Sequence, residues 1–334
     1  MERSVPVLEV NPPLINSANP WATSLEDLSA LFNCPSLGGI TTRTSLVNGF
    51  RHDPAVHQYI FFDPATHVSG THDDIGNGPG QSSLNNLGYS PIPLKDYLSY
   101  IQTISDGLSA ISEKLVIVSV TGTPEEVAEC YRLIAEHSRR VKMPLAVEIN
   151  LSCPNIPNAP PPAYSGESLG RYMVALQGPI SDAELPRLPV GLKTPPYTHA
   201  GQFETLISAL RTAGSQCPVS FLTATNTLGS CLILSDGECH TSKPKLPGFG
   251  IGGMAGASLH PLALGNVATL RRLLDQDDKT RHIKLIGIGG VEDVSGYRRM
   301  RGVGAAVVGV GTALGRKGTA VFKEIEEDLA GGPW

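Results

Sequence analysis

Short runs of apolar residues alternate with amphipathic segments along the chain from about residue 115 onward. The run Leu115 to Val120 predicts a buried strand. A helix is predicted directly after it, because Thr123 can cap the helix and Glu126 completes a capping box. Further strands are predicted at Leu145 to Ile149, Val190 to Lys193, Ser220 to Ala224, Ile283 to Ile288 and Ala305 to Val310. This rhythm is typical of an α/β protein with a parallel sheet.

The helices between these strands are predicted from apolar residues at helical spacing. Their buried positions are Val127, Cys130, Ile134 and Val141, then Phe203, Leu206, Ile207 and Leu210, then Val267, Leu270, Leu273 and Leu274. A closing helix is predicted from about Thr319. The first part of the chain fits the rhythm less cleanly, with a helix opened by Ser24 and Asp27 and a strand at Ile40 to Thr42.

The stretch between Asn48 and Gly88 departs from this rhythm. It is rich in Gly, Ser, Asp, Asn and His, and it holds one apolar run, Tyr59 to Phe62. We therefore expect an inserted excursion near residues 48–88, of the kind that often covers an active site. The length of 334 residues is compatible with two domains or with one α/β barrel. The rhythm favours the barrel, so we expect residues 1–334 to form a single domain.

Charge and composition exclude several classes of protein. Lys plus Arg number 26 against 31 for Asp plus Glu, without a dense basic run, so nucleic acid is not an expected partner. The chain has no signal-like apolar segment near its start and no apolar run long enough to cross a bilayer, so we expect a soluble cytoplasmic protein with no membrane partner. The six cysteines are scattered, and Cys239 beside His240 has no further ligands at metal spacing. We therefore expect reduced thiols and no metal.

A polar or glycine signature follows nearly every predicted strand. The signatures are Arg43, Asn150 to Asn155, Lys193, Thr225 to Thr227, Gly287 to Gly290 and Gly309 to Thr312. In a (β/α)8 barrel the active site lies at the carboxyl ends of the strands, and the loops after the last two strands often hold phosphate. Each glycine pair alone could be a tight turn, but two pairs in this order predict a phosphate-bearing ligand.

A dinucleotide-binding loop is the alternative interpretation of the glycines at Gly248 to Gly253. Their spacing departs from G-x-G-x-x-G, no clear strand precedes them, and no acidic residue follows at about 20 residues. The sequence therefore favours the barrel over a Rossmann fold.

Each polar candidate has a functional and a structural interpretation. Lys193 ends an apolar strand and would point into the barrel mouth, or it is an ion-paired lysine. Cys153 would serve as a general base once its pKa is lowered, or it is a buried structural cysteine. Asn150, Asn155 and Asn226 are turn residues or caps, or together they bind a planar, imide-like ligand.

With these residues in place, the chain resembles the dihydroorotate dehydrogenases, closest to the soluble, fumarate-linked class 1A branch. The segments that carry the resemblance are Glu148 to Asn155, Gly191 to Tyr197, Asn226 to Gly229, Gly248 to Gly253, Pro261 to Val267, Gly287 to Gly290 and Gly311 to Leu314. The resemblance covers most of the chain. It implies a TIM barrel that binds FMN and oxidises dihydroorotate to orotate in pyrimidine biosynthesis.

The resemblance also implies a role for individual residues. Cys153 corresponds to the family's catalytic base, which takes the C5 proton while hydride leaves C6 for the flavin. The substrate would be held by Arg43, Asn150, Asn155, Asn226 and Thr227. FMN would be held by Ser17, Ala18, Lys193, Thr225, Gly252, Gly253, Gly289, Gly290, Gly311 and Thr312. A homodimer and reoxidation by a fumarate-like acceptor are further implications.

The chain departs from the family pattern at the substrate pocket. Arg43 stands where the family has a lysine, and Gly80 to Asn86 replaces a segment that binds the substrate through an asparagine. Arginine and lysine differ in reach and donor geometry, so the exchange is not conservative. Two alternatives to the family reaction follow: a related flavin oxidoreductase acting on a different small cyclic substrate, and a non-catalytic FMN-binding barrel.

Overall fold

A computed structural model of the chain describes residues 5–70, 82–152, 161–213, 217–235, 242–329, 331–332 and 334. In this part of the chain, eight parallel strands form one sheet that curves into a barrel. In the order in which they pair, these strands are β1 (Leu14–Asn16), β13 (Val307–Val310), β12 (Lys284–Ile288), β9 (Val219–Ala224), β8 (Val190–Lys193), β7 (Leu145–Asn150), β6 (Leu115–Val120) and β2 (Gly39–Thr41). The prediction of a (β/α)8 barrel is confirmed.

Helices connect the successive strands on the outside of this barrel. They are α1 (Leu25–Asn33), α2 (Leu94–Asp106), α3 (Pro124–Ser138), α4 (Gly166–Ser181), α5 (Ala200–Ala213), α6 (His260–Asp275), α7 (Val294–Gly302), α8 (Thr312–Lys317) and α9 (Ala320–Leu329). Two of them begin as their sequences predict. Ser24 accepts from Asp27 N in a capping box at α1, and Thr123 accepts from Glu126 N in a second box at α3.

Side chains alternate between the outside and the inside of the barrel along each strand. On β7, Val147 and Ile149 belong to the large core between the sheet and the helices, whereas Ala146 belongs to the core inside the barrel. Inside the barrel, the large side chain of Phe221 packs directly against Gly191, where an added Cβ would lie 2.1 Å from the ring. By the same alternation, Glu148 and Asn150 face the inside.

A second, antiparallel sheet contains the described part of the excursion. Its strands, in pairing order, are β10 (Leu228–Leu232), β11 (Ile251–Gly256), β5 (Ser82–Asn85), β3 (Tyr59–Phe62) and β4 (Ser69–Gly70). The excursion supplies β3, β4 and β5, and the segment after β9 supplies β10 and β11. The apolar run Tyr59 to Phe62 noted in the sequence is strand β3 of this sheet. The glycines at Gly248 to Gly253 lead into the antiparallel strand β11 rather than into a dinucleotide-binding turn.

The sequence-based elements differ from the observed ones mainly in the first half and at strand ends. Strands β6 and β8 have the predicted bounds, and β12 and β13 begin later than predicted. Helices α2, α4 and α7 and the short strand β1 were not predicted. Helix α4 contains Gly170, Gly178 and Pro179, residues that lower helix propensity, so packing rather than local preference specifies it.

Candidate active site

A cleft of about 990 Å³ opens at the carboxyl ends of the barrel strands. Strands β1, β2, β7, β8, β9, β12 and β13 each end at this cleft. The predicted residues among its lining are Ser17, Ala18, Arg43, Asn150, Lys193, Thr225, Asn226, Thr227, Gly289, Gly290, Gly311 and Thr312. The sequence-based expectation that these residues meet at one end of the barrel agrees with their positions.

Glycine loops form one end of the cleft. Gly290 has φ +67°, and a Cβ added there would lie 2.6 Å from the carbonyl oxygen of Gly256. A Cβ added at Gly311 would lie 2.9 Å from Ser17 Oγ. At both positions the backbone therefore lies so close to neighbouring groups that a side chain would clash with them. Such a loop leaves its backbone N–H groups accessible, which suits a phosphate group.

His260 supports this glycine loop from behind. Arg299 Nε donates to His260 Nε2 at 3.0 Å, so Nε2 is an acceptor and the ring proton lies on Nδ1. His260 Nδ1 therefore donates to the carbonyl oxygen of Gly289 at 2.7 Å. This buried contact fixes the loop that follows β12.

Two polar groups at the cleft have no hydrogen-bond partner in the described part of the chain. Lys193 is only 3% exposed and forms no hydrogen bond or ion pair there. Thr225 Oγ1 is buried without a partner and also lines the cleft. Burying a cation and a hydroxyl without partners is costly. The residues present therefore fit a polar, anionic cofactor such as FMN, which would supply acceptors to both groups.

An amide cluster occupies the part of the cleft beside Lys193. Asn226 Nδ2 donates to Ser152 Oγ at 2.9 Å and to Asn150 Oδ1 at 3.3 Å. Ser152 Oγ donates to Asn150 Oδ1 at 2.9 Å, and Thr227 N donates to Asn226 Oδ1 at 2.8 Å. The two asparagines are held in fixed positions, which is the arrangement needed to recognise a planar ring with hydrogen-bonding edges.

Arg43 lies at the end of β2 and is mostly buried. Its backbone N–H donates to Ala22 O at 2.9 Å, and its Nη2 donates to Tyr89 O at 3.2 Å. Within the described residues, the cleft is lined by the cations Arg43 and Lys193 and by no carboxylate side chain. This charge balance favours an anionic ligand.

His52 of the excursion lies close enough to Arg43 to be influenced by its charge. Burial, and then the positive charges of Arg43 and His57, hold the pKa of His52 below its ordinary value. A neutral His52 leaves Arg43 as the cation on this side of the cleft.

Four predicted site residues lie elsewhere or outside the described part of the chain. Gly252 and Gly253 lie in β11, where Gly253 pairs with Asn85, and this strand reaches the cleft through Ala255 and Gly256 instead. Catalytic candidate Cys153 and substrate candidate Asn155 fall within residues 153–160, outside the described residues.

Several cleft residues were not predicted from the sequence. Trp21 and Tyr59 form an edge-to-face pair with ring centroids 5.4 Å apart, and both line the cleft. Trp21 packs where Gly315 has no side chain, because a Cβ there would lie 2.1 Å from the indole. Gly256 has φ +79°, and its position shortly before a helix with proline in its first turn is a pattern that the sequence shows. For the aromatic pair, no local sequence pattern indicates a place in the cleft.

The described residues contain neither a cluster suited to a metal ion nor a helix suited to a membrane. Among them, no group of three or more His, Cys, Asp or Glu side chains is placed to hold a metal ion. In the same part of the chain, none of the helices combines the length and apolar character that a membrane span requires.

Comparison with protein families and known proteins gives a consistent result. The family model for dihydroorotate dehydrogenase matches residues 76–331. A Trypanosoma cruzi protein named dihydroorotate dehydrogenase (fumarate) is 31% identical over 252 residues, which is 74% of this chain and 72% of the relative. A Lactococcus lactis protein named dihydroorotate dehydrogenase A (fumarate) is 28% identical over 320 residues, which is 95% of this chain and 89% of the relative.

Among solved structures, a ligand-free crystal structure of DHODH from Eimeria tenella matches with a TM-score of 0.69. The match covers 95% of this chain and 83% of the other chain at 15% identity. At that identity the likeness concerns the barrel fold alone.

Proposed function

The chain belongs to the dihydroorotate dehydrogenase family, and on that premise we propose that it binds FMN in the cleft and oxidises dihydroorotate to orotate, a step of pyrimidine biosynthesis. The observation that carries the proposal is the meeting of Lys193, Asn150 and Asn226 opposite the glycine loops at the carboxyl ends of the barrel. A phosphate-binding end, an unpaired cation and a fixed amide pair in one cleft are what a flavin and a planar substrate require.

The FMN site is assigned by the chemistry of the lining residues. The phosphate would be held by the backbone at Gly289, Gly290, Gly311 and Thr312, and the ring by Lys193 and Thr225, with Ser17 and Ala18 beside it. Gly252 would contribute by allowing β11 to lie close to β5, since a Cβ there would lie 2.5 Å from Asn85 O, and Gly253 by its pairing with Asn85. When bound, FMN supplies the acceptor for the hydride that leaves the substrate.

The substrate would lie between this cofactor and the amide cluster. Asn150, Asn226, Thr227 and Asn155 bind the edges of the pyrimidine ring, and Arg43 provides a positive charge for the substrate carboxylate. The Cys153 thiolate takes the proton from C5 of dihydroorotate. The carboxyl-end loop that follows β7 is where a barrel of this kind places such a group.

The remaining parts of the proposal concern the protein's partners and setting. A fumarate-like dicarboxylate would accept the electrons at the same site, because the cations that suit orotate also suit a second small anion. We further propose a homodimer in the cytoplasm, with residues 1–334 acting as one domain. The two named relatives, both fumarate-linked by name, support the choice of acceptor.

A second candidate function is supported by the substrate side of the cleft. The Arg43 guanidinium contacts Tyr89 O, and the segment Ser82–Asn85 is a strand paired on both sides, with β11 and with β3. Backbone groups engaged in two ladders are less available to a substrate. These features favour a related oxidoreductase for another small cyclic substrate, with FMN retained.

A titration with orotate separates the two candidates. Orotate added to the oxidised holoprotein should shift the visible flavin spectrum if the pocket is built for the pyrimidine product. An unmoved spectrum together with bound flavin would favour the other substrate. The Arg43→Lys variant provides the complementary test, because turnover of dihydroorotate should rise only if the rest of the pocket fits that substrate.

The role of Cys153 is tested by turnover. Cys153→Ala should lose most dihydroorotate oxidation at neutral pH, on the order of 100-fold or more, because general base catalysis is worth that much. Cys153→Ser should recover part of it at alkaline pH, where a weaker acid can still act as base. Full turnover by Cys153→Ala would remove the cysteine from the mechanism.

A further inference from the structure

Glu148 is a carboxylate inside the barrel that the proposed reaction does not use. It is 2% exposed, and it lies among apolar residues in strand β7, two residues before Asn150 at the strand's end. In the described part of the chain its hydrogen-bond partner is Ser119, whose Oγ donates to Glu148 Oε1 at 2.8 Å. On the adjoining strand β8, Gly191 is the residue paired with Glu148. Lys193 follows two residues later and therefore lies on the same inward face.

Hydroxyl groups connect Glu148 to the amide cluster. Ser119 Oγ lies 2.9 Å from Thr44 Oγ1, and Thr44 Oγ1 accepts from Asn150 Nδ2 at 3.0 Å. These groups come from three neighbouring parts of the barrel, and all are buried. The chain of contacts therefore runs from the barrel interior to the cleft wall without reaching solvent.

The charge on Glu148 determines the direction of every hydrogen bond in this chain. An ionised carboxylate only accepts, so the single proton of the Ser119 hydroxyl points at Glu148. Ser119 Oγ must then accept from the Thr44 hydroxyl, whose own proton is thereby used. Thr44 Oγ1 can only accept from Asn150, so the amide nitrogen of Asn150, and not its oxygen, faces Thr44.

The direction set at Asn150 extends to Asn226. With its nitrogen toward Thr44, Asn150 turns Oδ1 toward Ser152 and Asn226, where it accepts from Ser152 N, Ser152 Oγ and Asn226 Nδ2. Both protons of Asn226 Nδ2 are then used, on Asn150 Oδ1 and on Ser152 Oγ. What stays available to a ligand is one N–H of Asn150 and one lone pair of Asn226 Oδ1.

We propose that Glu148 is a positioning residue: through Ser119 and Thr44 it holds the Asn150 amide from one side, while the backbone N–H groups of Ser152 and Thr227 hold the oxygens of Asn150 and Asn226, so that the site presents one donor and one acceptor. Such a pair matches a carbonyl oxygen next to a ring N–H, the pattern of a cyclic ureide or imide. The identity of the ligand rests on the proposed function, whereas the orientation of the amides does not. Without the charge on Glu148, the hydroxyls of Ser119 and Thr44 can exchange their donor and acceptor roles, and the Asn150 amide is then held by its contacts on the Ser152 side alone.

Two variants interrupt the relay at different links. Ser119→Ala removes the hydroxyl that donates to Glu148. Glu148→Gln keeps the shape of the side chain, and its amide can either donate to or accept from Ser119, so it supplies the test if Ser119→Ala fails to fold. The matched control is Ser45→Ala, because Ser45 is buried next to Thr44 and its Oγ has no hydrogen-bond partner in the described residues.

The direct readout is the side-chain amide spectrum of holoprotein labelled with ¹⁵N-asparagine, in which the signals of Asn150 and Asn226 are identified by their loss in the Asn150→Ala and Asn226→Ala variants. Ser119→Ala and Glu148→Gln should shift or double both sets of signals, and Ser45→Ala should leave them in place. Orotate should bind either relay variant about ten-fold more weakly, while the Kd for FMN stays that of the wild type.

The outcomes separate the relay from the reaction. Unchanged amide signals in both variants, or equal shifts in the Ser45→Ala control, would overturn the relay whatever the substrate is. Shifted amide signals in a protein whose wild type does not respond to orotate would support the relay and overturn the proposed substrate. A parallel loss of FMN affinity in both variants would indicate a general structural role for Glu148 and would also overturn the proposal.

Discussion

The side chain of Asn16 pairs with the backbone of Thr41 as a neighbouring strand would. Asn16 Nδ2 donates to Thr41 O at 2.7 Å, and Asn16 Oδ1 accepts from Thr41 N at 2.9 Å. These bonds lie where β1 and β2, the two ends of the sheet order, come together. At the other end of the same seam, Gly38 N donates to Leu14 O at 3.1 Å. One amide thus satisfies two buried backbone groups and closes the barrel next to Ser17 and the cleft.

Asn16→Ala should therefore destabilise the barrel. Two buried backbone groups of Thr41 would lose their partners, a loss of about 2–5 kcal/mol in the free energy of unfolding. The melting temperature should fall by several degrees, and FMN binding should weaken because Ser17 and Ala18 follow directly. A thermal melt against Asn48→Ala, which alters an exposed loop asparagine, provides the comparison. Equal melting temperatures for the two variants would show that the seam does not depend on Asn16.

Gly290→Ala should disrupt the proposed phosphate loop. The residue has φ +67°, and the added Cβ would lie 2.6 Å from both Gly256 O and His260 Cβ, neither of which is the end of a flexible side chain. The backbone conformation alone costs about 1–2 kcal/mol for a residue with a Cβ. We expect loss of FMN from the purified protein, measured by its visible absorbance.

The control for this variant is Gly170→Ala, in helix α4, where an added Cβ meets nothing within 4 Å. That change should retain FMN and raise the stability by up to about 1 kcal/mol, because alanine favours the helix. Retention of FMN by Gly290→Ala at wild-type affinity would place the phosphate elsewhere.

Lys193→Met should have opposite effects on stability and on cofactor binding. Lys193 is buried without a hydrogen bond or ion pair in the described part of the chain, so a side chain of similar shape without charge removes a desolvation cost. The apoprotein should melt at the same or a higher temperature than the wild type. Its affinity for FMN should fall about ten-fold or more, as measured by quenching of flavin fluorescence. A destabilised variant that binds FMN normally would contradict the assignment of Lys193 to the flavin.

His137 should make the fold sensitive to mild acid. Burial, and then the charge of Arg140, lower the pKa of this imidazole below its ordinary value, so the unfolded chain takes up the proton more readily than the folded one. The resulting stability is present at neutral pH and is lost as the pH falls through the imidazole range. Melting temperatures at about pH 7 and pH 5 should therefore differ less for His137→Gln than for the wild type. The same difference in both proteins would assign the acid sensitivity to other groups.

The sequence was most informative where local signals and burial agree. Leu115 to Val120 and Val190 to Lys193 are fully buried strands, and the capping box at Thr123 marks the start of α3 from four residues alone. The polar residues at strand ends were predictable for the same reason, because a parallel barrel brings those ends together.

The rest depended on contacts between distant residues. Strand β1 has three residues, too few for a recognisable pattern, and it is held by β13 and by the Asn16 seam. Strand β11 is rich in glycine and is specified by its pairing with β5. Glu148 stood in the sequence as a lone carboxylate in an apolar strand, but its connection to Asn150 passes through Ser119 and Thr44, which no spacing in the chain relates to one another.

The visible spectrum of the purified holoprotein under anaerobic conditions shows whether this cleft holds a flavin and oxidises dihydroorotate. We expect an oxidised-flavin spectrum that bleaches when dihydroorotate is added and returns when fumarate follows. A flavin spectrum that dihydroorotate leaves unchanged would contradict the proposed substrate, and a purified protein that neither carries nor binds FMN would contradict the assignment of the cleft itself.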